Sequence, residues 1–411
     1  MRIERTSTNG LPALRPESRT WVEASIPHTP LLDWRELVIK AMHYSGALHL
    51  ARRVAKSHEI HPDSSLPFPR FERIKTPKFV ILCYHGIGES GNPLGVAPTR
   101  EFFEAQMRFL RENYRVASLD EACRELSSDA KSEPGVVITF DDGYCSAYTV
   151  AFPILQKYRL PATIYLTFDS VETGQVAWYD RVFLAIAVAP SGELQLDLEG
   201  SWRFQLNSPE DRLRAALEVI AHLRTLPNAM RCERCLILEK KIGLPQNSLS
   251  NRILTWEQIH IMQQAGIAFG SHTLSHPVVN QLAPAELERE LADSKRLLEE
   301  KLGVPVKDFA FPFGKAADCG AAAVEMLSRC GYRSAVTTVP GVNTPRVNPF
   351  EIRRLQVGSD GSLARFAFDL GRAFLRAEEL HPLSLPTAGS FGAQEVPIPV
   401  SIGGELGDPD A

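Results

Sequence analysis

Short apolar runs recur through the middle of the chain, at 79–84, 136–140, 162–166, 267–270, 309–311, 334–336 and 352–357, and the stretches between them carry helical spacing. Seven strand candidates alternating with helices predict a parallel sheet, and the expected form is a sheet closed into a barrel. The clearest helix follows the fourth of these strands. Pro284 opens it, Leu287, Leu291, Ser294 and Leu298 fall on one face, and Gly303 with Pro305 ends it. Between about 181 and 255 the alternation gives way to charged, mostly helical sequence, which predicts an insertion on the barrel rim, there for packing or as a lid.

The flanks read differently. Residues 1–77 form an extension with an amphipathic helix at 37–54, interrupted by Lys40, His43, His49, Arg52 and Arg53, and a proline-rich linker at 61–69. That helix suits a surface, a partner or a membrane interface. Residues 78–376 hold the barrel, and 377–411 decay into turn chemistry expected to be disordered.

Composition narrows the classes. With 411 residues, 44% hydrophobic, the chain can bury one barrel-sized core with appendages. A net charge of -4 offers no basic stripe for nucleic acid. No run reaches the roughly 18 apolar residues of a transmembrane span. The first 34 residues lack the apolar core of a secretory signal, so a cytoplasmic location is expected, with any membrane association through the 37–54 helix. Seven cysteines without framework spacing fit a reducing compartment. Cys232 and Cys235 have no second pair and lie in a helical run, so they are not read as a metal or redox site.

The chemistry gathers at the strand ends. Thr139-Phe140-Asp141-Asp142-Gly143-Tyr144 puts two adjacent carboxylates where a buried strand opens into a glycine turn, and such charge calls for a cation or a reacting proton. About 130 residues later, Ser271-His272-Thr273-Leu274-Ser275-His276 supplies two imidazoles four apart, close enough to share an ion. Taken separately, Asp-Asp-Gly is also an ordinary turn, and two such histidines need share nothing. Together, Asp-His-His makes a three-ligand set with positions left open, the arrangement of a catalytic metal site. In a parallel barrel the carboxyl ends of the strands converge on one mouth, and His85, Asp141, Asp142, Thr167, His272, Pro312–Gly314, Thr337 and Arg354 all fall there.

At these residues the chain resembles the polysaccharide deacetylases, the NodB-homology group or carbohydrate esterase family 4. Thr-Phe-Asp-Asp-Gly and His-(Ser/Thr)-x-x-His are matched letter for letter, and Arg-x-Pro-(Tyr/Phe)-Gly as Ala310-Phe311-Pro312-Phe313-Gly314, with Ala310 in the arginine's place. The resemblance covers roughly 78 to 360. It implies a distorted (β/α)7 TIM-like barrel and a metal-dependent hydrolase that removes N-acetyl groups from a polysaccharide or its precursor. It further implies that Asp142, His272 and His276 hold a divalent metal and that Asp141 acts as general base. Zinc is the first choice, and cobalt, nickel or iron suit the same donors.

The leaving nitrogen needs a proton donor. Many members carry Leu-x-His on the final strand, but 352–357 has no histidine, whereas Val80-Ile81-Leu82-Cys83-Tyr84-His85 ends the first strand with one. First and last strands of a closed barrel are neighbours, and this order resembles the circularly permuted members, so His85 is the expected general acid. Tyr144 offers a backbone N–H to the oxyanion. Pro312, Phe313 and Gly314 line the substrate position, and Trp178 and Tyr179 offer faces for sugar rings or simply pack the rim. Arg354 either reaches Asp141 or substrate in place of the missing arginine, or forms a surface salt bridge. A non-catalytic barrel that binds glycan or a partner, and a hydrolase of another amide, are the alternative readings.

Overall fold

The computed structural model describes residues 78–88, 97–128, 133–244, 252–345, 347–358 and 362–375. The expected 37–54 helix, the 61–69 linker and the 377–411 tail lie outside these residues.

The strands are Phe79–Tyr84 (β1), Arg115–Val116 (β2), Gly135–Phe140 (β3), Thr163–Leu166 (β4), Glu193–Asp197 (β5), Ser201–Gln205 (β6), Ala268–Ser271 (β7), Asp308–Ala310 (β8), Ser334–Val336 (β9) and Leu355–Gln356 (β10). β1 and β3 are buried at all positions, as parallel strands covered on both faces must be. The main sheet runs β10-β1-β3-β4-β7-β8-β9, with every pair parallel and β2 added at the start of β3. Its open side is drawn together by the segment that leads into β10. Ile352 bridges Val336 of β9, with Thr337 N–H donating to the Ile352 carbonyl at 2.7 Å, and three residues later Leu355 pairs with Leu82 of β1. The six residues 352–357 thus touch both edges, which is why this predicted strand shrinks to two regular residues. The result is the distorted seven-stranded barrel expected.

Alternation sorts the side chains. Phe79, Ile81, Val137, Tyr165, Ala310, Val336 and Ile352 form one cluster in the barrel interior, while Val80, Leu82, Val136, Ile138, Ile164 and Phe309 join the larger core beneath the helices. Continuing the interior face upward by twos leads from Ile81 to Cys83 and His85, and from Val137 to Thr139 and Asp141. Register alone therefore points these residues into the mouth.

The helices are Arg100–Asn113 (α1), Leu119–Leu126 (α2), Phe152–Tyr158 (α3), Phe168–Thr173 (α4), Trp178–Val188 (α5), Pro209–Leu223 (α6), Asn228–Ile242 (α7), Trp256–Gln264 (α8), Pro284–Glu288 (α9), Ser294–Leu302 (α10), Ala316–Cys319 (α11), Ala321–Arg329 (α12) and Leu363–Leu375 (α13). The sequence predicts a single helix over 284–302, but a π-helical turn, Arg289–Asp293, separates α9 from α10. The insertion also departs from expectation. Besides α6 and α7 it contains the antiparallel hairpin β5–β6, whose alternation (Leu194, Leu196 against Trp202, Phe204) is a strand pattern that the surrounding charge obscures. Cys235 is buried and Cys232 exposed on α7, and no disulfide joins them. No helix among the described residues is long and apolar enough to cross a membrane.

Candidate active site

The turn after β3 begins with Asp141, whose N–H donates to the Tyr84 carbonyl, and passes through Asp142 and Gly143 in the left-handed region, φ 70° and 74°. A non-glycine residue there costs about 1–3 kcal/mol, so this turn is held by its surroundings. Asp142 thereby faces the loop after β7, which is itself strained: Thr273 and His276 have φ of 68° and 57°. His272 Nε2 and His276 Nε2 each lie 3.4 Å from Asp142 Oδ1, and all three residues are buried.

These contacts are too long and misdirected for hydrogen bonds, and both oxygens of Asp142 lack a donor among the described residues. A buried carboxylate with no donor is costly. Donors at about 2.0–2.2 Å from a tetrahedral ion stand about 3.3–3.5 Å apart, and the two observed separations fall in that range. His272 Nδ1 lies 2.7 Å from the Ala310 carbonyl, which makes it the protonated nitrogen and leaves the Nε2 lone pair for a ligand role. The three residues fit a divalent ion.

Asp141 belongs to a different arrangement. Arg354, fully buried, donates from Nη1 to Oδ1 and from Nη2 to Oδ2, both at 2.6 Å, and from Nε to the Thr337 carbonyl at 2.8 Å. Burial alone would push the Asp141 carboxyl up. The Arg354 guanidinium, with His272 and His85, outweighs it and holds the carboxyl below the usual range. Cys83 Sγ lies 3.4 Å from Asp141 Oδ2, and burial pushes this thiol up, so it stays protonated. Cys83, His85 and Asp141 have potential ligand atoms within 4.8 Å of one another, but the guanidinium on both carboxylate oxygens makes that cluster a poor cation site. His85, half-buried at the end of β1, thus stands beside Asp141.

The aromatic residues surround His276. Its ring is 4.8 Å from that of Tyr179 and 4.9 Å from that of Phe313. Trp178 is buried and donates its indole N–H to the His276 carbonyl at 3.1 Å. The reading of Trp178 as an open sugar platform is therefore corrected: its face is taken by packing, and it supports a ligand residue from behind. Tyr179 and Phe313 are half-buried. Pro312 is buried, Phe313 has φ 59°, and a Cβ at Gly314 would come within 2.8 Å of Thr338 N, so the Pro312–Gly314 turn admits only glycine at its end. The alternative of a surface salt bridge for Arg354 is likewise corrected, since the pair with Asp141 is buried. Tyr144 forms an antiparallel bridge with Ile253 whose hydrogen bonds use Cys145 N–H and Leu254 N–H, so that pairing leaves the Tyr144 N–H unused.

Sequence reasoning missed several neighbours. Thr139 accepts from Arg354 at 3.2 Å. Asp180 accepts from the Tyr144 hydroxyl at 2.6 Å, and burial pushes its carboxyl up to about 7 against that hydrogen bond, with the Asp142 charge adding to the rise. Thr139 and Cys83 were findable, being two positions before Asp141 and His85 on the same strand faces. Nothing in the sequence singles out Asp180.

Comparison with known proteins gives a family and several relatives. The family model described as polysaccharide deacetylase matches residues 128–335, a range that holds Asp141, Asp142, His272, His276 and Pro312–Gly314 but neither His85 nor Arg354. YxkH of Bacillus subtilis (strain 168), whose name places it among the polysaccharide deacetylases, is 29% identical over 292 residues, 70% of this chain and 75% of that protein. The poly-beta-1,6-N-acetyl-D-glucosamine N-deacetylase of Escherichia coli (strain K12) is 38% identical over 88 residues, 20% of this chain and 13% of that protein. Among solved structures, the Streptococcus pyogenes deacetylase PplD in complex with acetate is similar at TM-score 0.49 and 21% identity, over 74% of this chain and 100% of that one. IcaB from Ammonifex degensii is similar at TM-score 0.45 and 22% identity, over 68% of this chain and 91% of that one.

Proposed function

The chain belongs to the polysaccharide deacetylase family, a family of hydrolases, and on that premise we propose that it removes acetyl groups from N-acetylhexosamine units of a polysaccharide or its lipid-linked precursor. Asp142, His272 and His276 would hold a divalent ion, zinc first among those the donors suit. The observation that carries the reading is the buried Asp142 carboxylate, without a hydrogen-bond donor among the described residues and with two imidazole Nε2 atoms 3.4 Å from one oxygen. The Escherichia coli relative, named for poly-beta-1,6-N-acetyl-D-glucosamine, supports N-acetylglucosamine as the sugar.

The ion, when bound, would acidify water and polarise the amide carbonyl. The remaining work falls to the chain. Asp141 takes the proton of the attacking water. Its depressed pKa keeps it ionised, and Oδ1 retains a lone pair beyond the one engaged by Arg354, whereas Oδ2 also accepts from the Cys83 thiol. A weak base suffices when the water it serves is already acidic. Arg354 fixes the plane of that carboxylate. His85 gives a proton to the leaving nitrogen, and the Tyr144 N–H receives charge developing on the carbonyl oxygen. Tyr179 and Phe313 bound the substrate position beside His276.

Acetate release from N-acetylglucosamine oligomers and bacterial exopolysaccharides tests the reading. Chelation should abolish it and zinc should restore it. Asp141→Asn and His85→Ala should each keep the metal and lose turnover by about a hundredfold or more, the scale of a general acid or base. His272→Ala and His276→Ala should lose the metal itself. Full metal occupancy in both histidine variants would refute the ligand assignment, and near-normal turnover of His85→Ala would remove its role as acid.

A further inference from the structure

The loop that carries the two histidines is shaped from outside. Its residues 273–276 include two left-handed non-glycine positions, Thr273 and His276, and three consecutive amides that point away from any strand partner. The His276 N–H donates to Thr273 Oγ1 at 3.0 Å. The other two go to one carboxylate: Glu290 Oε2 accepts from Leu274 N–H at 2.9 Å and from Ser275 N–H at 3.1 Å, while Oε1 accepts from Ser275 Oγ at 2.6 Å.

Glu290 is 1% exposed and stands in the π-helical turn Arg289–Asp293. A π turn carries one residue more than a regular turn and is frequent at functional sites, because it redirects a side chain without ending the helix. Here the turn separates α9, with Leu287 in the core, from α10, with Leu298 in the core, and Glu290 is buried between them next to Leu291. Ser294, at the start of α10, accepts from Ser271 Oγ at 2.9 Å and so holds the end of β7 as well. Among the described residues no Lys, Arg or His nitrogen forms an ion pair with Glu290. Its buried charge is met by the two loop amides and a hydroxyl, with the field of the buried Arg231 reaching it from α7.

We propose that Glu290 is a positioning residue for the His272–His276 pair. By gathering the Leu274 and Ser275 amides it fixes the loop shape in which both Nε2 atoms converge on Asp142. The proposal rests on the reading that these three residues hold a divalent ion. Partners one shell beyond a ligand typically set metal affinity by 10–100-fold, and a carboxylate that shapes the backbone between two ligands belongs with them.

The test is zinc affinity of metal-free protein by chelator competition, with the visible absorption of the cobalt(II) form as a readout of ligand geometry and circular dichroism as a check of fold. Glu290→Ala should bind zinc about 10–100-fold more weakly and change the cobalt spectrum. Glu290→Gln keeps an oxygen for the two amides and should recover most of the affinity, a rescue that loss of general packing would not produce. Ser275→Ala removes one of the three hydrogen bonds and should shift affinity in the same direction by less, which serves if Glu290→Ala does not fold. Wild-type affinity and spectrum in folded Glu290→Ala, or in Ser275→Ala where Glu290→Ala does not fold, would overturn the positioning role while leaving the ligand assignment intact. A wild-type protein that binds no divalent ion would overturn the ligand assignment and this role with it.

Discussion

Arg354 shows how far a single residue can depend on where its neighbours send it. A buried guanidinium is tolerated only when its donors are matched, and Arg354 has Asp141 on two of them, the Thr337 carbonyl on a third and Thr139 close by. Replacing it with methionine leaves Asp141 buried without its cation and should cost about 3–5 kcal/mol at pH 8. The sign of the pH dependence follows from the depressed carboxyl of the wild type. That contribution is present above the unfolded carboxylate value of about 3.9 and is lost as pH falls through the lower folded value, so between pH 8 and pH 5 the wild type is unaffected by it. In Arg354→Met the burial effect is unopposed by the guanidinium, the carboxyl rises above its unfolded value, and the penalty at pH 8 relaxes as it takes up a proton. Urea unfolding of both proteins at pH 8 and pH 5 should therefore show a gap that narrows with acid. A gap independent of pH would mean that the arginine acts through packing alone.

At the scale of elements, what could be read in the sequence was what repeats. β1 and β3 are runs dominated by Val, Ile, Leu and Phe, all of them buried, and Asp141 and Asp142 are legible because they end such a run. Less legible were elements held by long-range pairing: β10 has two residues and exists because β1 lies beside it, and the π turn looks in sequence like one more helical turn. The β5–β6 hairpin had its signal, but only five residues long on each side. Glycine in β7 illustrates a constraint that becomes visible only in space. A Cβ on Gly270 would lie 2.5 Å from the Tyr165 ring and 2.7 Å from the Asp308 carbonyl oxygen of β8. A ring could turn aside, but a strand backbone cannot do so cheaply. Gly270→Ala should thus destabilise by about 1–3 kcal/mol, the usual cost of overpacking, and should weaken metal binding because His272 lies two residues further on. An unchanged urea midpoint would show that β7 and β8 can separate without loss.

Across the whole molecule the polar groups of the mouth form a chain around the barrel. Arg354, just before β10, reaches the Thr337 carbonyl beyond β9 and Asp141 beyond β3; Asp142, one residue on, faces His272 beyond β7; and His272 reaches the Ala310 carbonyl at the end of β8. The seam between β9 and β1 is narrow, so this polar chain and the strand pairing share the task of closing the barrel. Two clamps meet on the Asp141–Asp142 peptide, one from Arg354 and one from the proposed ion, and groups with such a shared support are typically coupled by about 0.5–3 kcal/mol. In wild-type protein, free zinc at about 100 times Kd should stabilise by about 2.7 kcal/mol. At the same free zinc, Arg354→Met should gain measurably less, because Asp142 loses the neighbour that holds its left-handed turn in place. Charge alone gives little net effect: the variant loses one positive charge, and Asp141 loses its negative charge when it protonates, so the field at the ion is nearly conserved and geometry decides. Thermal unfolding of both proteins with and without zinc, at a pH where Asp141 of the variant has taken up its proton, measures the coupling. Equal gains would show that the two clamps act independently and that the strand pairing alone sets the turn.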